Sequence, residues 1–328
     1  MVAAAPMADI ADIAGAARES IGRYFSLISF IPSALLVAYV FVLLSSGALH
    51  RPPDLGSVAH AVSHLGLADV AALTFVSVGL GLALHPLQFA FVQFFEGYWG
   101  AGPIAQRARS ARIWWHWRRL RALRIQSNYE NYRLTESAND EDLRKRIDTV
   151  SLSHEGRRLS AGQPVVIDQM MPTRLGNVLR YYESAAGAPY QLDAIGVMPY
   201  LARVAPPEDM AYVNDQRSNL DLAVRMIVVS VIAFTISLAL LWRYGLWLLV
   251  AIIPYAVAFL SYRGAVVAAG AYGRAFGAII ALNRFALYER LHLPLPKNIS
   301  EEKKNNVALG NVLNYSRYDS LEYKHPES

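Results

Sequence analysis

Four stretches of this chain contain no aspartate, glutamate, lysine or arginine. They lie between Arg23 and Arg51, Asp69 and Glu96, Arg225 and Arg243, and Arg243 and Arg263. A helix rising about 1.5 Å per residue needs about 20 apolar residues to cross a hydrocarbon core roughly 30 Å thick. Each stretch supplies such a run, at residues 24–44, 70–91, 226–242 and 244–262, and all four are predicted to span a membrane. The third is short and relies on its aromatic and arginine flanks to reach the interface. Only 17% of the residues are charged, against about 25% in soluble domains, so a polar shell for buried core helices is missing. The chain has no cysteine, which excludes disulfides, thiolate metal sites and cysteine nucleophiles.

Residues 1–23 carry Asp9, Asp12 and Glu19 against Arg18 and Arg23. A cleaved signal would need a basic start, so the first run is expected to stay as a span. Arginine placement sets the direction. The outer loops hold Arg51 and Arg243, whereas Arg107, Arg109, Arg112, Arg118, Arg119, Arg121 and Arg124 follow the second run. Arg263, Arg274, Arg284 and Arg290 follow the fourth. Positive charge resists translocation, which puts both clusters and both termini in the cytoplasm and the protein in the plasma membrane. The expected fold is an all-α membrane protein: two hairpins of spans with a mostly helical cytoplasmic domain inserted between them. Its parts are a cytoplasmic start (1–23), the first hairpin (24–95), the domain (96–225) and the second hairpin (226–262). A cytoplasmic helical extension (263–292) and a polar tail (293–328) follow.

The basic stretch from Arg107 embeds Trp114, Trp115 and Trp117 beside Arg118 and Arg119, with no acid between Glu96 and Glu130. Its position directly after a span points to a lipid interface with anionic headgroups, where indole rings settle and arginines are attracted. Arginine and aromatics also suit nucleic acid, but a juxtamembrane basic segment is already required by topology.

Within the domain, Val165, Val166 and Ile167 form the one plausible short strand. Leu175, Val178, Leu179 and Tyr182 recur at helical steps and predict a helix over 175–184. A second is predicted over 193–204, and a third after Pro206 and Pro207 runs on into the third span. Thr173, Arg174, Asn177 and Arg180 surround a helix start, where free N–H groups and a nearby guanidinium can hold an anion or an acidic partner group. Local ion pairs with Glu183 or Asp193 are the structural alternative. Residues 175–181 recur, with Asn314 in place of Arg180, as residues 309–315; the match is either coincidence or two helices competing for one groove.

The segment Met171-Pro172-Thr173-Arg174-Leu175-Gly176-Asn177, followed by Tyr190, Asp193 and Pro199, resembles a family of bacterial four-span integral membrane proteins carrying a PTRLGN-type cytoplasmic motif. Tyr272-Gly273, Asn283-Arg284-Phe285 and Pro294-Leu295-Pro296 resemble the element after the fourth span in that family. Met198 replaces an aromatic and Asn283 an acid. The resemblance implies architecture and no activity.

In the second span His85 and Gln88 are three apart and share a face, and Pro86 is expected to kink the helix. Intramembrane polar groups are functional candidates. His60 and His64 in the outer loop have metal-ligand spacing, but Ala61 stands where a zincin needs glutamate and no third ligand is placed. No nucleotide, nucleophile-elbow or paired-carboxylate motif occurs, so no catalytic residue, metal or cofactor is assigned. After Arg263, Ala265, Ala269, Gly273, Gly277 and Ala281 repeat every four residues. Such a small-residue stripe admits a close helix neighbour, either the basic aromatic helix of the same chain or, as the favoured reading, the same helix of a second subunit. Three functions compete: a self-associating scaffold or sensor recruiting a cytoplasmic protein, a homo-oligomeric pore, and a membrane-embedded enzyme acting on a lipid or anionic substrate. The scaffold leads because few polar groups line the spans.

Overall fold

A computed structural model describes residues 25–133 and 167–313, with Pro164, Leu321, Tyr323 and Lys324. The segment 1–23, the side chain of Arg124 and Val165 and Val166 of the expected strand lie outside the described residues. Among those described, every regular element is helical. Ile167, expected in a strand, instead opens a single 3-10 turn to Gln169. With no strand among the described residues for it to pair with, the extended form would leave backbone groups unbonded.

Four helical stretches are long and apolar enough to cross a membrane: Ile28–Ser45, Leu67–Glu96, Pro207–Leu241 and Gly245–Arg290. Two of them bury only 11% of their most apolar windows. Phe75, Phe89, Leu246 and Leu260 all stand exposed, and apolar surface of that kind calls for an apolar surrounding medium.

Contacts divide the chain into two compact units, Met1–Val92 with Arg217–Ala268, and Gln93–Gln216 with Ala269–Ser328. The first contains α1 (Ile31–Ser45), α2 (Leu55–Ser63), α3 (Leu67–Leu84), and most of α4 (Gln88–Glu96). A 3-10 turn at His85–Leu87 separates α3 from α4, where Pro86 withholds an N–H from the helix ladder. The second half of α8 (Pro207–Leu241), a 3-10 segment at Gly245–Ala251 and the start of α9 (Ile252–Arg290) complete this unit. Leu36 packs with Val229 and Ala233, and Leu43 with Ala48 and Leu241. Ser29, Ser33 and Ser77 are buried, and Gly81 lies against the Ser29 carbonyl. Small residues of this kind let apolar helices approach closely. The Tyr39 and Ser237 hydroxyls share a hydrogen bond of 2.7 Å.

The second unit holds α5 (Pro103–Arg133), α6 (Arg174–Gly187), α7 (Ala194–Val204) and α10 (Ile299–Leu313), with the remaining parts of α4, α8 and α9. Thr173 and Asp193 cap α6 and α7, each accepting a hydrogen bond from a backbone N–H in the first turn. Leu201, Val213, Ile279, Ile280, Leu287 and Leu309 form one core. The region expected as a polar tail therefore contributes a packed helix. Its inward positions are Leu309 together with Glu302 and Asn306, all buried. Glu302 accepts from the Arg284 guanidinium at 2.6 Å. Tyr288 donates to Asn306 Oδ1 at 2.7 Å, and Asn306 Nδ2 donates to the Tyr190 carbonyl at 2.9 Å.

Candidate functional site

In the first unit the polar residues converge on α8. Arg217, Asp221 and Arg225 recur every four residues and so share one face. Arg225 is 0% exposed and Gln88 is 7% exposed. Arg225 Nε donates to Gln88 Oε1 at 2.8 Å. The Gln88 amide donates to the Asp221 carbonyl at 3.0 Å and lies 3.4 Å from Asp221 Oδ1. Arg217 approaches the Asp221 carboxylate at 4.0 Å from a more exposed position. Gln88 thus bridges an acid and a base one helical turn apart. A buried ion stays charged only when such polar partners replace its water. His85, three residues from Gln88, reaches a different partner: its Nδ1 lies 3.4 Å from Ser29 Oγ. The two residues read as one polar face therefore serve separate contacts. Asp221 and Arg225 escaped the sequence reading because the third span was begun at Met226. The i, i+4 recurrence of charge ahead of it was the available signal.

In the second unit, the residues expected to hold an anion have protein partners. Thr173 Oγ1 donates to the Glu96 carbonyl at 2.9 Å and accepts from the Gly176 N–H at 2.9 Å. Asn177 is fully buried. It accepts from the Met171 N–H at 2.8 Å and donates to the Met171 carbonyl at 3.0 Å. A Cβ on Gly176 would sit 2.0 Å from the Glu96 carbonyl oxygen, so this position must be glycine. Arg180 pairs with Glu183 at 3.5 Å on the surface. Three consecutive functions of the Pro172–Asn177 segment are thereby structural: cap, close approach and loop clamp. Arg174 stands at the first turn of α6.

Beside that turn lies His116 of α5, 8% exposed. It is hydrogen-bonded to Pro172, and since proline has no N–H the imidazole must be the donor. Its Nε2 is buried and has no partner among the described atoms. Burial, then the nearby Arg112, with Arg119 and Arg174 adding to it, pushes the imidazole down to about 4. The histidine is neutral at physiological pH.

The small-residue stripe of α9 has an occupant within the chain. A Cβ on Gly273 would lie 2.3 Å from Tyr182 Cγ, and Gly277 faces Ala186 at 3.7 Å. Ala269 is fully buried, whereas Ala281 is half-buried. At Gly273 and Gly277 this face receives α6 of the same chain. Next to this contact Leu179, Tyr182, Ile195, Met198, Tyr272 and Phe276 line an apolar cleft of about 210 Å³. The repeated LGNVL segments also part company: Gly176 is pressed against backbone, while Gly310 faces open space.

Between α1 and α3, Asp54 caps α2 by accepting from Gly56 N–H and Ser57 N–H at 3.1 and 2.9 Å. The Ser57 hydroxyl, donating at 2.7 Å, and these backbone donors hold the Asp54 carboxyl below its ordinary range. The His60 and His64 rings lie 4.3 Å apart. No third histidine, aspartate or glutamate gathers with them among the described residues. Trp114 and Trp115 are exposed on α5, and Trp117 is half-buried. Arg118 lies over Trp114 at 5.1 Å and Arg119 over Trp115 at 5.4 Å. No family of known proteins, no curated protein and no solved structure matches this chain.

Proposed function

We propose that the chain is a multi-pass membrane scaffold or sensor that presents its second, helical unit to a cytoplasmic protein. The reading takes the four apolar helices as two hairpins in the plasma membrane, with both termini inside, on the arginine asymmetry of the loops. The observation that carries it is continuity. The α8 helix runs 35 residues and α9 runs 39 without a break, whereas about 20 residues suffice to cross a bilayer. Each therefore leaves roughly 15 or more helical residues beyond the apolar layer, and Val213 of α8 with Ile279, Ile280 and Leu287 of α9 belong to the core of the second unit.

The polar groups nearest the apolar layer support the same reading over a pore. Gln88, Asp221 and Arg225 bond one another and are buried, an arrangement suited to locking helices together. The test is site-specific photo-crosslinking of the full chain in intact cells from exposed Ile195 and Tyr212 of the second unit, alongside flux assays in proteoliposomes. The reading expects a discrete heteromeric adduct from both positions and no ion flux above empty vesicles. Flux without adducts would replace it with the pore.

A further inference from the structure

The α5 helix has two faces with different apolar content. His116 and Leu120 are buried, and Ile113 and Trp117 are half-buried beside them. On the opposite side Ile104, Ala108, Ala111 and Trp115 recur at four-, three- and four-residue steps, which places them in one stripe. All four are exposed, Ile104 at 82% and Trp115 at 43%. At 100° per residue, Arg107 and Arg118 fall along one edge of the stripe and Arg112 and Arg119 along the other. Those edge arginines are exposed too. Arg112 and Arg119 lie 5.3 and 5.4 Å from the Trp115 ring, so guanidinium and indole sit side by side.

We propose that this face docks on an anionic bilayer surface. Ile104, Ala108, Ala111 and Trp115 enter the boundary between headgroups and acyl chains, and the four edge arginines meet lipid phosphates. Charge complementarity is one argument, since no acid interrupts the sequence between Glu96 and Glu130. Reach is another. The segment 97–102 separates the end of an apolar helix from Pro103, and its extended length is at most about 25 Å. The aliphatic centre of the stripe favours lipid over nucleic acid, because isoleucine and alanine offer nothing to a phosphodiester backbone, whereas a basic amphipathic face matches an interface. This docking goes beyond the scaffold reading and does not depend on it.

The absence of native cysteine allows a direct test. The full chain carrying Ala111→Cys, or independently Ala108→Cys, is labelled with a nitroxide. It is reconstituted in phosphatidylcholine vesicles with and without phosphatidylglycerol. Oxygen and a water-soluble nickel chelate compete to relax the label. The expected result is that both labels become oxygen-accessible and nickel-protected in the anionic vesicles, while Ser110→Cys, off the stripe, stays aqueous. Adding Arg118→Ala and Arg119→Ala should lower the docked-to-undocked ratio by about fivefold for each arginine. Aqueous labels at both stripe positions in both vesicle types would overturn the proposal. So would protection by added oligonucleotide in place of anionic lipid.

Discussion

Gly176 and Gly273 are the positions where a single methyl group decides whether α6 can be seated. One admits the Glu96 carbonyl and the other the Tyr182 ring. Gly176→Ala would press on the Glu96 carbonyl and the Met171 Cβ, neither of which can swing aside, so overpacking should cost about 1–3 kcal/mol, read as a lower midpoint of thermal unfolding in detergent. Gly273→Leu should lower folding yield and leave the assembly size of the surviving protein unchanged. A drop in oligomer order at full yield would restore the stripe to an interface between copies. His116 gives a pH signature. Its folded value, about 4, lies below the ordinary 6.5, so the unfolded chain binds more protons between those limits. Stability is fully present above pH 6.5 and falls as the pH drops toward 4, by roughly 2 kcal/mol at pH 5. His116→Phe should flatten the midpoint over that window, and an unchanged pH profile would remove the buried neutral imidazole from the account. At this scale the sequence showed the helix start at Thr173 but not that Asn177 is bonded to the Met171 backbone. The spacing of polar residues is the same whether they face a ligand or a loop six residues away.

Helices were the most legible level. The uncharged runs and the 3.6-residue periodicity of 175–184 located α1, α3, α6 and α9 because burial and bilayer length act on every residue in them. Their ends were less legible. The helix predicted after Pro206 and Pro207 to run on into the third span is α8, from Pro207 to Leu241, but the span itself was begun at Met226, and Arg225 was read as its boundary because charge is normally excluded from a span. The packing of α8 overrides that rule by supplying Gln88. Gln88→Leu keeps the volume and removes both bridging bonds. Hydrogen bonds to charged groups are each worth about 1.5–3 kcal/mol, so the variant should be destabilised by at least that much in mild detergent. His85→Ala, whose contact is a 3.4 Å approach to Ser29, should cost clearly less. Comparable losses from the two would deny the Arg225 bridge its special weight. The α10 helix was missed for a different reason. Its inward face carries Glu302 and Asn306, so hydrophobic periodicity is weak where polar clamps do the holding.

For the whole molecule, the four apolar helices follow from the charge distribution, since polar surface is too scarce to cover them. The division into two units was only partly legible. Residues 269–328 join the second unit through contacts with α6, α7 and the Tyr190 turn, and pairings that distant leave no local pattern. The central claim is that this second unit lies in the cytoplasm while the loop around α2 lies outside. Ser57, half-buried in α2, and Ser300, exposed in α10, report on the two sides. With no native thiol, Ser57→Cys and Ser300→Cys each carry a unique label site. An impermeant maleimide applied to intact cells should modify Ser57→Cys and reach Ser300→Cys only after permeabilisation. Modification of Ser300→Cys in intact cells, whether alone or together with Ser57→Cys, would contradict the account.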